Sequence, residues 1–158
     1  MTLPDRLYKV SGEPKSGSYR WPALVVVTGT NPAANVECSD SVPAGKAWLL
    51  RAYFVQCVQG ITQTPLPSLL INDSAGNTIH TIAGASAAQN ASVTCDYTFA
   101  DDVSTGAGGA ATVGGGPLPA PDVLIPEGYT LATSTAGKGA NTNFGAPRIT
   151  VYEYSVDG

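Results

Sequence analysis

Apolar positions in this chain recur mainly at every second residue, the period of a strand with one covered face. Residues 92–99 alternate without a miss: Val93, Cys95, Tyr97 and Phe99 on one side, Ser92, Thr94, Asp96 and Thr98 on the other. A longer run covers residues 47–58. There Trp48, Leu50, Ala52, Phe54 and Val58 fall on one face, while Arg51, Tyr53 and Cys57 fall on the other and are expected to be half covered. Shorter apolar runs lie at 23–28, 69–71, 78–82, 123–125, 129–133 and 149–154.

Turn residues separate these runs. Val42-Pro43-Ala44-Gly45-Lys46 feeds the long run, and Asn72-Asp73-Ser74-Ala75-Gly76-Asn77 sits between two short ones, which reads as a hairpin. Eight or nine strands are expected in about 135 residues. With long Gly-rich connections they predict an all-β, single-domain β-sandwich or jelly roll. The widest gap, residues 100–121, is rich in Gly and Ala and is expected to be one long exposed loop.

Residues 1–22 show no sustained period. Pro4, Pro14 and Pro22, with Gly12 and Gly17, predict an extended N-terminal arm ahead of a body at 23–158. Charge separates the same two parts. Residues 1–20 hold Arg6, Lys9, Lys15 and Arg20 against Asp5 and Glu13, a net of +2, whereas the remaining residues hold four basic and ten acidic side chains, a net of −6.

Composition narrows the function classes. Glycine (18) and proline (12) make up about one residue in five of the 158, which disfavours helices. With 13% charged and 43% hydrophobic residues, the chain is not a solvated disordered one. No apolar run reaches the roughly 18 residues of a membrane-spanning helix, and the start of the chain does not read as a signal peptide. A net charge of −4 lacks the basic footprint of a nucleic-acid binder, so neither nucleic acid nor membrane is an expected partner. Cys38, Cys57 and Cys95 are odd in number and are expected to be reduced and mostly buried.

Candidate chemistry is sparse. His80 is the one histidine, and a catalytic triad would need it beside a nucleophile on a tight turn. Ser86 lies on a Gly-flanked segment but lacks the full elbow motif. Cys57 or Cys95 paired with His80 meets the objection that both fall on strands as core-like residues. No metal-ligand spacing is present for zinc, and Asn72-Asp73 and Asp101-Asp102 offer only loop oxygens for calcium. Gly106-Ala107-Gly108-Gly109-Ala110-Ala111 formally matches a dinucleotide fingerprint, but the Gly-rich residues after it cannot form the helix that motif needs. Glu37, Glu127 and Glu153 sit near strand ends, where solvated positions are expected rather than a glycosidase pair. Tyr53, Tyr152 and Tyr154 suit core or subunit contacts better than a sugar platform. The chain is therefore expected to be no enzyme and to carry no cofactor.

Four segments form a family pattern: Val42-Pro43-Ala44-Gly45-Lys46-Ala47-Trp48-Leu49-Leu50; Ile71-Asn72-Asp73-Ser74-Ala75-Gly76-Asn77; Ser92-Val93-Thr94-Cys95-Asp96-Tyr97-Thr98-Phe99-Ala100; and the stretch from Pro117-Leu118-Pro119 to Val123-Leu124-Ile125-Pro126-Glu127-Gly128-Tyr129. Asn143-Phe144-Gly145-Ala146-Pro147 before the last run also fits. Over about residues 40–154 the set resembles small β-sandwich structural proteins of tailed bacteriophages, the head decoration (cement) proteins and related virion components. That resemblance implies a structural virion protein, made in the host cytoplasm and bound to the major capsid protein on the outer head surface. Low charge and many apolar residues fit subunit burial, so a symmetric homo-oligomer is expected, and the resemblance favours a trimer. The arm lies outside the resembling stretch; its charge, opposite in sign to the body's, makes Arg6, Tyr8, Lys9, Lys15, Tyr19, Arg20 and Trp21 the candidate capsid contacts. The alternative is a tail, fibre or baseplate component contributing to host recognition or carbohydrate binding.

Overall fold

A computed structural model of the chain describes residues 22–59, 65–84, 90, 93–100, 114–118 and 123–156. Among them there is no helix, and eleven strands form two sheets that enclose one core. The strands are β1 (Ala23–Thr28), β2 (Ser39–Ser41), β3 (Lys46–Val58), β4 (Leu66–Asn72), β5 (Thr78–Ile82), β6 (Thr94–Ala100), β7 (Gly114–Pro117), β8 (Leu124–Ile125), β9 (Thr130–Ala136), β10 (Asn143–Phe144) and β11 (Arg148–Ser155). The all-β sandwich expectation holds. The count exceeds eight or nine because β2 and β10 are pieces of three and two residues that carry no period of their own, and β7 lies in a glycine run.

The large sheet has the order β1-β11-β3-β6-β7, and the small sheet β2-β9-β4-β5. Pairing is antiparallel except for β6 with β7, which is parallel. β3 is the spine of the large sheet. One of its edges takes β11 and then β10, and the other takes β8 and then β6. Thirteen residues are long enough to serve four partners in this way. The stretch expected as a single exposed loop at 100–121 contains β7, which hydrogen-bonds alongside β6 from Tyr97 to Ala100. Glycine runs carry no side-chain alternation, so this strand leaves no periodic signal.

The expected phase of β3 is corrected in its second half. Leu50 opposes Val151 and Ala52 opposes Thr150, so Arg51 is an extra residue, a β-bulge. One inserted residue reverses the facing of everything after it. Trp48 and Leu50 point inward before the bulge; Tyr53, Val55 and Cys57 point inward after it. Phe54 and Val58, expected with Trp48 and Leu50, lie on the outer face instead. On β6 the expected alternation holds: Cys95, Tyr97 and Phe99 are buried, and Val93 packs against the core.

The core fills the space between the sheets. Tyr53, Val55, Tyr97, Phe99, Ile149 and Val151 come from the large sheet, and Leu69, Ile71, Ile82 and Leu131 from the small one. Burying one such side chain contributes roughly 1.5–3 kcal/mol. Tyr53 and Phe99 meet edge-to-face, with centroids 6.2 Å apart at 64°. The expected turns are present as read: Gly45 adopts φ 70° between β2 and β3, and Asp73 closes the β4–β5 hairpin by accepting the amides of Ala75 and Asn77.

Candidate interaction surface

The arm residues singled out by sequence, Arg6, Tyr8, Lys9, Lys15, Tyr19, Arg20 and Trp21, lie outside the described residues. So do Ser86, Asp101 and Asp102. The remaining candidates each have a place.

The three glutamates are structural ties rather than solvated strand ends. Glu37 accepts the hydroxyls of Thr133 (2.6 Å) and Thr135 (3.1 Å) and the Thr135 amide, and pairs with Lys138 at 3.1 Å. Glu127 accepts the Gly45 amide at 2.6 Å and so stitches the β8–β9 turn to the turn before β3. Glu153 accepts the buried Trp48 indole at 3.1 Å and pairs with Lys46 at 2.9 Å. The Lys46 hydrogen bond and charge hold its carboxyl below the usual range. Each acid is thus committed to a different contact.

The thiols have the wrong chemistry for nucleophiles. All three are buried and none is in a disulfide. Burial pushes the Cys38 thiol up to about 11 and the Cys57 thiol up to about 12, so neither is a thiolate at neutral pH. Cys57 and Cys95 stand opposite each other on β3 and β6, facing the core. His80 is half-buried on the edge strand β5, across from Ile71. Among the described residues, no group of three His, Cys, Asp or Glu side chains is placed to hold a metal ion.

Tyr53 is a core residue, with its hydroxyl buried. Tyr152 is different: it is exposed on the outer face of the large sheet, with the Arg51 guanidinium 5.8 Å from its ring centroid. That outer face is the least expected feature of the fold. Val25 and Val27 of β1 pack against the core, which turns Leu24 and Val26 outward, each 63% exposed. Pairing extends the stripe across the sheet. Leu24 stands beside Tyr152, which stands beside Leu49; Val26 stands beside Thr150, which stands beside Ala52 and then Ala100. Thr28, Arg148 and Phe54 form the next row. Leu24, Val26 and Tyr152 thus bring exposed apolar side chains to two adjacent strands of the outer face.

Sequence reading missed this surface. The run at 23–28 is apolar at nearly every position, and such a run does not say which side chains point out. Comparison with protein-family models, with curated proteins and with solved structures returned no match.

Proposed function

We propose that this chain is a structural protein of a tailed-phage virion, a head decoration protein that binds the outer shell as an oligomer. The observation that carries the reading is the apolar outer face of the large sheet, which begins on β1, the strand that directly follows the basic arm. Exposed leucine and valine at 63% are costly in water unless a partner covers them. The resemblance over residues 40–154 points the same way, and the acids and thiols that an enzyme would use are held in turns, ion pairs and core.

In this reading the arm adds contact area on the shell, with Arg6, Lys9, Lys15 and Arg20 meeting acidic capsid groups. The test uses particles lacking the protein, to which the full chain or a chain without residues 1–20 is added back. The full chain should label heads, and the truncated chain should lose head retention. Full decoration by the truncated chain overturns the arm's role, and label confined to tails replaces the head assignment with a tail component.

A further inference from the structure

We infer that β1 is the strand through which two copies of this chain join, edge to edge and antiparallel, about a two-fold axis at Val26. This rests on the oligomeric part of the reading above but not on the virion itself.

β1 ends the large sheet, and among the described residues no strand lies on its far side. Gly29 donates to the Pro147 carbonyl at 2.8 Å in register with the β1–β11 ladder, and this sets the phase of the strand. Alternate residues of an antiparallel strand bond to the same side. Ala23, Val25 and Val27 therefore bond to β11, while Leu24, Val26 and Thr28 turn their amides and carbonyls to the open side. The other sheet edges are blunted. β2 is three residues long, β5 meets β4 through a register shift, and β7 ends in Pro117. Shortness, bulges, proline and charge are what keep an edge from pairing with another chain. β1 has none of them: it is six residues long, regular in register, uncharged and without proline.

The open row complements itself. Turned antiparallel about Val26, β1 of a second copy sets Leu24 against the partner's Thr28 and Val26 against the partner's Val26. Each such pair exchanges two N–H···O bonds, so every outward amide and carbonyl from Leu24 to Thr28 is satisfied on both copies. Pro22, the next residue of that row, has no N–H and ends the ladder. The same register keeps Val25 beside the partner's Val27 on the core side. Leu24 and Val26, each 63% exposed, stay on the outer face and gain neighbours across the seam. A slip of one residue would bring groups already bonded to β11 to the seam and leave the row unmatched.

Charge favours a second copy at this place. Residues 21–158 carry a net of −6, so two copies repel over most of their surface. Residues 21–36 hold no charged side chain, and an axis through Val26 brings these neutral stretches together. A two-fold contact has to be its own complement, and this strand is.

The test measures the mass of the full chain in solution by light scattering, beside Val26→Lys, Val26→Glu and Val26→Pro. Val26 is exposed and its amide lies outside the β11 ladder, so a cooperative melt should show each variant folded. The wild type should run at twice the chain mass at micromolar concentrations. Val26→Lys and Val26→Glu each set like charges opposite one another and should weaken association by about tenfold or more. Mixed in equal amounts they set Lys against Glu and should recover the wild-type mass. Val26→Pro removes an outward amide and should weaken association as well; should proline prevent folding, the Lys and Glu variants decide alone. Amide exchange adds a second reading: Leu24, Val26 and Thr28 should be protected while the chain is dimeric and lose that protection on dilution. A wild type that runs as one chain or as three, or a Lys and Glu mixture no better associated than either variant alone, overturns the two-fold seam. Protection that persists in the diluted monomer overturns it too, because the edge is then covered from within the chain. Shell binding is scored separately, so a chain that dimerises but does not label heads fails the virion reading alone.

Discussion

Asp40 is a carboxyl held inside this sandwich, a placement that costs desolvation. It points inward from β2, is almost wholly buried, and accepts the Thr30 amide at 2.7 Å through Oδ1. Its other oxygen, Oδ2, has no hydrogen-bond partner among the described residues and lies against Gly29 and Pro147. Burial raises its carboxyl above the ordinary value, against the opposing pull of Thr30. A carboxyl whose folded value is raised favours the fold fully at pH below its unfolded value, and that contribution fades as pH rises through the folded value. Asp40→Asn keeps an oxygen for Thr30 and removes the charge. The variant should match wild type in acid and melt higher at pH 7, by on the order of 1 kcal/mol. Thermal melts of both chains from pH 3 to 8 check this; a gap that is constant or shrinks with pH refutes it. Gly29 belongs to the same corner. A Cβ there would stand 2.5 Å from Asp40 Oδ2 and 2.6 Å from Pro147 Cγ, so these three residues were packed without room for a side chain.

Among the strands, what the sequence reveals depends on whether a side chain's direction is set locally. β6 was legible because Val93, Cys95, Tyr97 and Phe99 alternate with polar residues and meet one partner register throughout. The β4–β5 hairpin was legible because Asp73 and Gly76 solve the turn on their own. β3 was legible as a strand but not in phase, because the bulge at Arg51 is imposed by β11, about a hundred residues later. β2 and β10 exist only as short pairings against β9 and β3, so their signal lies in those partners rather than in themselves. The candidate interaction face was illegible for the same reason as the β3 phase: in ALVVVT, packing alone decides that Val25 and Val27 face in and Leu24 and Val26 face out. The bulge makes a sharp prediction at two adjacent aromatics. Tyr53→Ala empties a fully buried site against Phe99 and should cost about 3–5 kcal/mol. Phe54→Ala trims a half-buried outer residue and should cost under about 2 kcal/mol. Urea titrations of the two variants decide it. Equal costs, or a larger one at Phe54, mean that β3 runs without the bulge.

Neither sheet can bury its inner face without the other, and this makes the two sheets one unit. Their hydrogen-bond ladders are separate, yet Leu69, Ile71 and Leu131 share one cluster with Tyr53, Tyr97 and Val151. The cysteines report on this coupling because they sit on both sides of it. Cys38 is bound to the small sheet, donating its amide to the Thr133 hydroxyl at 2.9 Å and accepting the Thr133 amide at 3.0 Å. Cys57 and Cys95 belong to the large sheet. Burial both hides the three thiols and raises them, so alkylation, which needs an exposed thiolate, is blocked twice in the folded chain. None should react with Ellman's reagent at pH 8 in the native state, and all should react in denaturant. Pulsed alkylation along a urea series, read by mass for each cysteine, should give one midpoint for all three, because removing one sheet exposes the apolar face of the other. A lower midpoint for Cys38 than for Cys57 and Cys95 would mean that the small sheet opens first and that the large sheet persists alone. Its inner face would then be stable in water without Leu69, Ile71 and Leu131 against it, and the shared core would not be what joins the two halves.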